Sequence, residues 1–272
     1  MQAPPEHHRS GRVWLIAGTG EGPVLTEALL ARGWRLRLSV VGQGASRAYR
    51  TDPNLELAVG PIGEGVGLTP ERGVERELAA AELAGDPYAW VVDASHPFAT
   101  TISAALARVC HARHQPVLRL GRPVEALQQA VLLDDLPQLE ACVARGERLL
   151  LAIGARQLPL AVRHSPGAIH HARLLPDPTA LRIVMAAGLH PGRVACLRPG
   201  VEGRIEAALC RRWRIDTVLC RQSGGNTEGL WSRICQNQDM ELRLLRRPQE
   251  PAGVKVLTLA ELLAVVGGSP HA

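Results

Sequence analysis

Short apolar runs alternate with amphipathic helical patterns along almost the whole chain, and this alternation strongly constrains the fold. In the first half, the pattern runs from an apolar strand at residues 13–17 to another at 116–120, and it restarts at about residue 136. Strands that are separated by helices pair in parallel through right-handed crossovers. Because most of the runs are apolar throughout, each sheet should be covered on both faces.

The predicted elements divide the chain into two halves. The strands of the first half are predicted at residues 13–17, 34–41, 55–59, 89–93 and 116–120, and its helices at 23–32, 70–83 and 98–113. In the second half we predict strands at 148–153, 168–175, 193–197, 217–220, 241–245 and 254–257. Helices are predicted there at 136–144, between the strand 168–175 and residue 188, at 204–213, at 228–236 and after the last strand. We therefore predict an α/β protein with two Rossmann-like domains, mainly parallel sheets and an interdomain cleft. The predicted boundaries are a disordered tail at 1–10, a first domain at 11–121 and a second at 122–272.

Positive charge is supplied almost entirely by arginine, since Lys255 is the single lysine and the formal net charge is +5. Arginine binds carboxylates and phosphates with two hydrogen bonds. The arginines are dispersed and aromatic residues make up 3% of the chain, so we expect a small polyanionic ligand and no nucleic acid. Genome composition is the alternative explanation for the many arginines.

Six scattered cysteines without a CxxC pair are typical of reduced thiols in a cytoplasmic protein. No apolar run approaches a membrane span, and no apolar segment marks a signal peptide. We expect a cytoplasmic location, no membrane partner and no bound metal. The sequence does not predict the oligomeric state.

A glycine turn, Gly18-Thr19-Gly20-Glu21, follows the first predicted strand. Glycines at this position let the backbone approach a ligand, and the next helix offers its amide groups to a phosphate. The turn predicts a dinucleotide site that includes all four residues. Pro23 stands where a third glycine is usual, and Glu21 is an unusual neighbour for a phosphate. A plain strand–helix turn is therefore the alternative.

The end of the second strand favours NADPH over NADH. An acidic residue there reads the ribose hydroxyl of NAD, whereas arginine suits a 2′-phosphate. The segment from Ser39 to residue 44 carries no acid, and Arg47 and Arg50 follow it. We assign Ser39, Arg47 and Arg50 to the cofactor site, with ordinary surface arginines as the alternative.

The segment Asp93-Ala94-Ser95-His96-Pro97-Phe98-Ala99 places a carboxylate, a hydroxyl and an imidazole at the end of the fourth strand. Ligands bind at this edge of open α/β sheets. We predict that Asp93, Ser95 and His96 are catalytic, with His96 as the candidate proton donor because an imidazole titrates near neutrality. The alternatives are that Asp93 and Ser95 only cap the following helix, and that water or the substrate supplies the proton in place of His96.

Taken together in chain order, these motifs resemble the precorrin-6A reductase family of cobalamin biosynthesis. The matching segments are Ala17-Gly18-Thr19-Gly20-Glu21, Asp93 to Ala99, Leu118-Arg119-Leu120-Gly121-Arg122-Pro123, Ile153-Gly154-Ala155-Arg156, Arg173-Leu174-Leu175-Pro176, Cys220-Arg221-Gln222-Ser223-Gly224-Gly225 and Arg247-Pro248. Two departures stand out: Arg221 replaces the family's lysine, and Arg198-Pro199-Gly200-Val201 replaces its G-P-F/Y segment.

The resemblance implies an NADPH-dependent reduction of a ring double bond in precorrin-6A or cobalt-precorrin-6A, which are polycarboxylate corrinoids. It also implies substrate contacts from a set of residues in the second half: Arg156, Arg173, Arg221, Ser223, Gly224 and Gly225. Two alternatives remain open from the residues. One is another NADPH oxidoreductase on the same fold, and the other is a tetrapyrrole-binding protein without catalytic activity.

Overall fold

The chain forms two compact units in a computed structural model, which describes residues 11–63, 67–123, 130–198, 200 and 202–267. The first unit contains Met1–Pro123 together with Pro248–Ala272, and the second contains Val124–Arg247. The predicted tail at residues 1–10 lies outside the described residues.

Strands and helices alternate as predicted. The strands are β1 Arg12–Ala17, β2 Arg35–Val40, β3 Leu55–Val59, β4 Tyr88–Ala94, β5 Val117–Leu120, β6 Ala130–Leu133, β7 Arg148–Ala152, β8 Ile169–Leu174, β9 Val194–Cys196, β10 Thr217–Arg221, β11 Glu241–Leu245 and β12 Lys255–Leu257. The α-helices are α1 Gly22–Leu30, α2 Gln43–Ser46, α3 Pro70–Leu83, α4 Thr100–Ala112, α5 Leu139–Cys142, α6 Leu158–Arg163, α7 Pro178–Ala186, α8 Arg204–Trp213, α9 Asn226–Gln238 and α10 Leu259–Val266. None of the helices in the described ranges has the length and apolar character needed to cross a bilayer.

The sheet of the first unit is doubly wound. Its strand order is β3-β2-β1-β4-β5-β12, and every neighbouring pair is parallel. This is the 3-2-1-4-5-6 order of dinucleotide-binding folds, with β12 as the sixth strand. The chain leaves β1 toward one side and returns on the other at β4. The carboxyl ends of β1 and β4 therefore flank the switch point, where such folds bind ligands.

Both faces of this sheet are covered, as the apolar strands predict. Leu15 packs into a cluster that includes Leu25 of α1, whereas its neighbour Trp14 packs into a cluster that includes Val74 of α3. Successive side chains of a strand point to opposite faces, so β1 contributes to both cores. The glycine turn thus follows a strand that is packed on both faces.

The second unit repeats this arrangement. Its strand order is β9-β8-β7-β10-β11-β6, again with parallel neighbours throughout. β7 takes the place that β1 has in the first sheet, and β10 takes the place of β4. The second switch point therefore lies at the carboxyl ends of β7 and β10. The prediction of two Rossmann-like α/β units with parallel sheets is confirmed.

The predicted boundary of the second domain is wrong at its end. β12 pairs with β5 in the first sheet, with Lys255 opposite Leu118, and α10 packs on α1. Residues 248–267 therefore belong to the first unit, and the second domain does not extend to residue 272. Local periodicity predicts that a strand exists, but the strand that it joins is decided by long-range packing.

The predicted elements differ from the observed ones mainly in the second unit. The helix predicted at 136–144 is only the short α5, because Val143 already has extended backbone angles. β6 and α6 were not predicted, since their four and six residues are too short for a clear period. By contrast, β3, β11, α3 and α8 have the predicted bounds.

Candidate functional site

The glycine turn after β1 packs directly against the loop after β4. A Cβ added to Gly18 would lie 3.4 Å from the backbone nitrogen of His96 and 3.6 Å from Cα of Ser95. Thr19 also donates a hydrogen bond from Oγ1 to the carbonyl of Ala94, at 3.4 Å. The structure therefore brings two of the predicted motifs together at the first switch point.

The remaining glycines of the turn have distinct roles. Gly20 is exposed and an added Cβ would meet no atom within 4 Å, so the surface above it is open to a ligand. A Cβ on Gly22 would lie 2.3 Å from Oη of Tyr49 and 3.1 Å from Cβ of Ala17. Gly22 thus allows the close packing of helix on strand that the third glycine of a dinucleotide turn provides. The turn fits a pyrophosphate although Pro23 occupies the usual third position.

Glu21 does not leave an unbalanced negative charge on this turn. Its carboxylate forms an ion pair with Nη2 of Arg122 at 2.5 Å, and only 10% of the Arg122 side chain is exposed. Arg122 follows β5, two strands away from β1. The ion pair compensates the acidic residue that made the turn an atypical phosphate site.

The environment of Ser39 at the end of β2 differs from its predicted role as a cofactor ligand. Ser39 is buried, and its Oγ accepts a hydrogen bond from Nε1 of Trp14 at 2.9 Å. It lies among core residues, so the assignment of Ser39 to the cofactor site is not supported. Arg47 is the C-terminal cap residue of α2 and is exposed, as the predicted phosphate ligand must be.

Arg50 is also exposed, but it has acidic neighbours. It forms a loose ion pair with Glu27 at 4.0 Å, and it lines a cavity of about 360 Å³ between α1 and residues 48–52. Glu27 and Asp52 line the same cavity. Two carboxylates disfavour a phosphate there, so Arg47 is the better of the two candidates.

Asp93 is a structural residue and is not available as a catalytic acid. It lies in register with Arg119 on β5, and the two side chains form an ion pair in which both are almost fully buried. Its other oxygen accepts the backbone N–H of Ser95 at 3.0 Å. The predicted catalytic role of Asp93 is therefore replaced by a role in holding the loop that carries Ser95 and His96.

Arg119 connects the same network to α4 and to the segment that precedes β12. Its guanidinium donates to Oγ of Ser103 on α4 at 2.7 Å and forms a second ion pair with Glu250. The Ser95 hydroxyl lies 3.2 Å from Oγ of Ser103 and is buried. Ser95 is thus part of a buried hydrogen-bond network, which supports a positioning role rather than a reactive one.

His96 is partly exposed beside Gly18. Its Nδ1 accepts the backbone N–H of Phe98 at 3.1 Å, and its ring lies against the Phe98 ring. A doubly protonated imidazole would place two N–H donors against each other at Nδ1. The neutral ring is therefore favoured, with its proton on Nε2. This geometry suits a hydrogen-bond donor and argues against His96 as the proton donor in this conformation.

Arginines gather at the second switch point. Gly154 follows β7 with φ of +84°, and a Cβ there would lie 3.1 Å from Nη2 of Arg221. Nε of Arg221 donates to Oε1 of Gln157 at 3.0 Å. Burial, and secondarily the positive charge of Arg156, lower the pKa of Arg221 to about 10. Two guanidiniums thus share one edge, which favours an anionic ligand.

The turn after β10 is held from within. Glu228, in the first turn of α9, is buried and accepts the backbone N–H of Gly224 at 2.6 Å. The prediction that this amide is offered to a substrate carboxylate is therefore wrong for Gly224. Ser223 is buried beside it, and Gly225 is the N-terminal cap of α9.

Arg173 lies near the end of β8, the strand beside β7, and is 9% exposed. Burial lowers the pKa of Arg173, while the nearby Glu206 carboxylate opposes this effect. Of the departing segment 198–201, residues 199 and 201 lie outside the described residues. Four of the predicted substrate residues, Arg156, Arg173, Arg221 and Ser223, lie on or just after strands at the carboxyl edge of the second sheet.

Sequence reasoning gave no role to several charged residues that shape these sites. Arg119 and Arg122 are noted only as parts of a motif, Glu228 only as the start of a predicted helix, and Glu250 not at all. The spacing of the two arginines at the end of β5 was the available signal. Nothing local marks an isolated glutamate as the partner of a distant amide or guanidinium.

Together the fold and these edges define a doubly wound α/β protein with a dinucleotide-type turn in one unit and an arginine-rich edge in the other. The sequence profile of a family described as Precorrin-6x reductase CbiJ/CobK matches residues 12–267. The chain belongs to this family of cobalamin biosynthesis, as its motifs indicate.

Individual relatives agree with this membership. The chain is 31% identical over 249 residues to a cobalt-precorrin-6A reductase of Synechocystis sp., covering 89% of this chain and 90% of that protein. It is 29% identical over 266 residues to a precorrin-6A reductase of Mycobacterium tuberculosis, covering 95% and 98%. A solved structure of CobK precorrin-6A reductase shares the fold with a TM-score of 0.74 at 22% identity, over 96% of this chain and 99% of that one.

Proposed function

We propose that this protein reduces one ring double bond of precorrin-6A or cobalt-precorrin-6A to the 6B form, with NADPH as the reductant. The observation that carries the proposal is the family match, which spans both units from residue 12 to residue 267. One NADPH and one proton are consumed for each double bond that is reduced, and NADP⁺ is released.

The turn at Gly18–Gly22 is the proposed pyrophosphate site. Its support is the open surface at Gly20, the close packing at Gly22 and the start of the nine-residue α1. Arg47 is the proposed partner of the 2′-phosphate. When bound, NADPH supplies the hydride, and the protein supplies binding, orientation and electrostatics.

His96 is proposed to donate a hydrogen bond from Nε2 to a ligand bound at the first switch point. Its Nδ1 is engaged with the Phe98 amide, so the ring is held in one orientation beside Gly18. The Asp93–Ser95 contact fixes the loop that carries it. The proton that enters the product is then proposed to come from solvent, because a neutral imidazole is too weak an acid to supply it.

The edge of the second sheet is the proposed substrate site. Arg156, Arg173 and Arg221 supply positive charge there, while Leu175, next to β8, is 53% exposed and Ile205, in the first turn of α8, is 63% exposed. Exposed apolar side chains beside arginines suit a ligand with an apolar ring and a carboxylate rim. A corrin precursor has both features.

Anaerobic incubation with each macrocycle and either NADPH or NADH tests the proposal. We expect the absorbance of one macrocycle to change in step with oxidation of NADPH, one to one, and more slowly with NADH. The comparison of precorrin-6A with cobalt-precorrin-6A identifies the substrate form.

The two alternatives predict other outcomes. An NADPH oxidoreductase for a smaller substrate would bind NADPH and leave both macrocycles unchanged. A tetrapyrrole-binding protein without activity would bind a macrocycle but not NADPH. Either result would contradict the proposed reduction.

A further inference from the structure

Arg173 is a buried cation with two buried guanidinium nitrogens that no hydrogen bond of the described residues reaches. Its Nε and Nη2 are buried and have no hydrogen-bond partner among the residues that the structure describes. Buried polar atoms nearly always have a hydrogen-bond partner. Two donors without a partner on one guanidinium therefore call for an explanation. Arg221, at the same sheet edge, differs because its Nε is paired with Gln157.

The two unpaired atoms lie on the same edge of the guanidinium. Nε–H and the neighbouring Nη2–H point in parallel, and their spacing matches the two oxygens of a carboxylate. An isolated unpaired nitrogen would suit any acceptor. A complete unpaired edge favours a planar two-oxygen group that accepts both hydrogen bonds.

Glu206 supplies a nearby carboxylate that does not fill this edge. It is 1% exposed in the first turn of α8, and its Oε1 accepts the backbone N–H of Gly200 at 3.2 Å. Its Oε2 has no hydrogen-bond partner within the described part of the chain. The ion pairs of the described residues do not join it to Arg173, although its charge acts on that guanidinium.

We propose that the Nε–Nη2 edge of Arg173 binds one peripheral carboxylate of the tetrapyrrole, and that Glu206 is an internal carboxylate that competes for it. The proposal rests on the proposed function and names the group of the substrate that Arg173 recognises. The edge has no solvent contact in this conformation, so the proposal requires the Arg173 side chain to turn toward the substrate when it binds. The Gly200 amide holds Glu206 away from the guanidinium.

The substitution Arg173→Lys tests the assignment because lysine keeps the charge but cannot form the two parallel hydrogen bonds. We expect the Kd for precorrin-6A to rise about tenfold or more, with no change in the Kd for NADPH. The matched control is Arg182→Lys on the exposed side of α7, which should change neither Kd. A folded Arg173→Lys protein that binds precorrin-6A as tightly as the unaltered chain would overturn the proposal.

Glu206→Gln gives a second measurement that does not depend on the stability of the Arg173 variant. Removal of the competing charge should tighten precorrin-6A binding a few-fold at low salt. Weaker binding by this variant would overturn the role of Glu206. Failure of the unaltered chain to bind either macrocycle would instead refute the proposed function, and this inference with it.

Discussion

Glu21 in the turn after β1 and Arg122 after β5 form an ion pair across the carboxyl edge of the first sheet. Glu21 is the N-terminal cap residue of α1, and Arg122 follows β5, yet their side chains form an ion pair with an N–O distance of 2.5 Å. The positive end of α1 and the Arg122 guanidinium thus both act on the one carboxylate of the glycine turn. At the proposed cofactor site, a pyrophosphate would meet a turn whose negative charge is already balanced.

Arg122→Ala should therefore weaken NADPH binding through Glu21. The uncompensated carboxylate would repel the cofactor phosphates, and we expect Kd to rise about tenfold, or ~1.4 kcal/mol. In the double variant with Glu21→Gln, most of the affinity should return. Titration of NADPH by fluorescence measures each Kd.

The control for this comparison of single and double variants is Arg108→Ala, which breaks an exposed ion pair with Glu71 on α3. It should leave the NADPH affinity unchanged. If the double variant binds as weakly as Arg122→Ala alone, the loss does not act through the charge of Glu21.

Asp93→Asn should strongly lower stability, since it leaves the buried Arg119 cation without one of its two carboxylates. Asparagine still offers an oxygen to the Ser95 amide, so the change isolates the charge. Loss of one member of a buried ion pair costs about 3–5 kcal/mol. Glu202→Gln, which breaks an exposed pair with Arg204, should cost under about 1 kcal/mol. Equal costs in urea unfolding would contradict the buried network.

Gly20→Ala and Gly22→Ala should separate binding from folding. An added Cβ at position 20 meets open space, so the first variant should keep its melting temperature but bind NADPH less tightly, because the methyl group occupies the approach to the backbone. At position 22 the Cβ would press on Ala17 and Tyr49, at an expected cost of about 1–3 kcal/mol. Normal NADPH affinity in Gly20→Ala would remove the turn from the cofactor site.

His96→Ala should slow turnover modestly. A lost hydrogen bond of about 1.4 kcal/mol corresponds to roughly a tenfold lower kcat. Loss of a general acid would instead lower the rate about 10²–10⁴-fold and would change the pH profile. Single-turnover measurement from pH 6 to 9 distinguishes the two roles.

The second unit should lose stability in mild acid. Burial of His171 against Trp213 lowers the pKa of this histidine from its ordinary 6.5 to about 4. Between these values the unfolded chain binds the proton and the folded chain does not, so stability falls as the pH drops from about 6.5 toward 4. The expected loss is on the order of 3 kcal/mol.

Substitution of His171 by phenylalanine keeps an aromatic ring against Trp213 and removes the titration. The pH dependence of the melting temperature should become flatter in this variant. His111→Gln, on the exposed face of α4, is the control and should leave the dependence as it is. An unchanged slope in His171→Phe would exclude this residue as the origin.

The alternation of apolar runs was enough to predict the fold class because it is a local property. β3 and α3 were predicted with their observed bounds, since each has a clear period and clear ends. β12 was predicted as a strand but assigned to the wrong sheet. Its pairing with β5 depends on surfaces that are more than a hundred residues apart in the chain. A local sequence pattern therefore cannot predict this pairing.

The candidate site was predictable to the extent that motifs sit at strand ends. Gly18 and His96 belong to separate motifs, and the parallel sheet rule alone places both at one switch point. Ser39 failed because its side chain faces the core, which the end of a mostly apolar strand does not reveal. The partners of Asp93, Glu21 and Gly224 required the tertiary structure, because each lies on a different element.

The sixth strand of the first sheet is contributed by the last part of the chain, and this orders events during synthesis. Residues 124–247 form a unit that is continuous in the chain, so all of its strands have left the ribosome before β12 does. The strands of the first sheet emerge earlier, but the sheet is complete only after β12 has been made. The ion pair of Arg119 with Glu250 likewise forms only after the last part of the chain has been made. The half of the protein that is made first is therefore the half that is finished last.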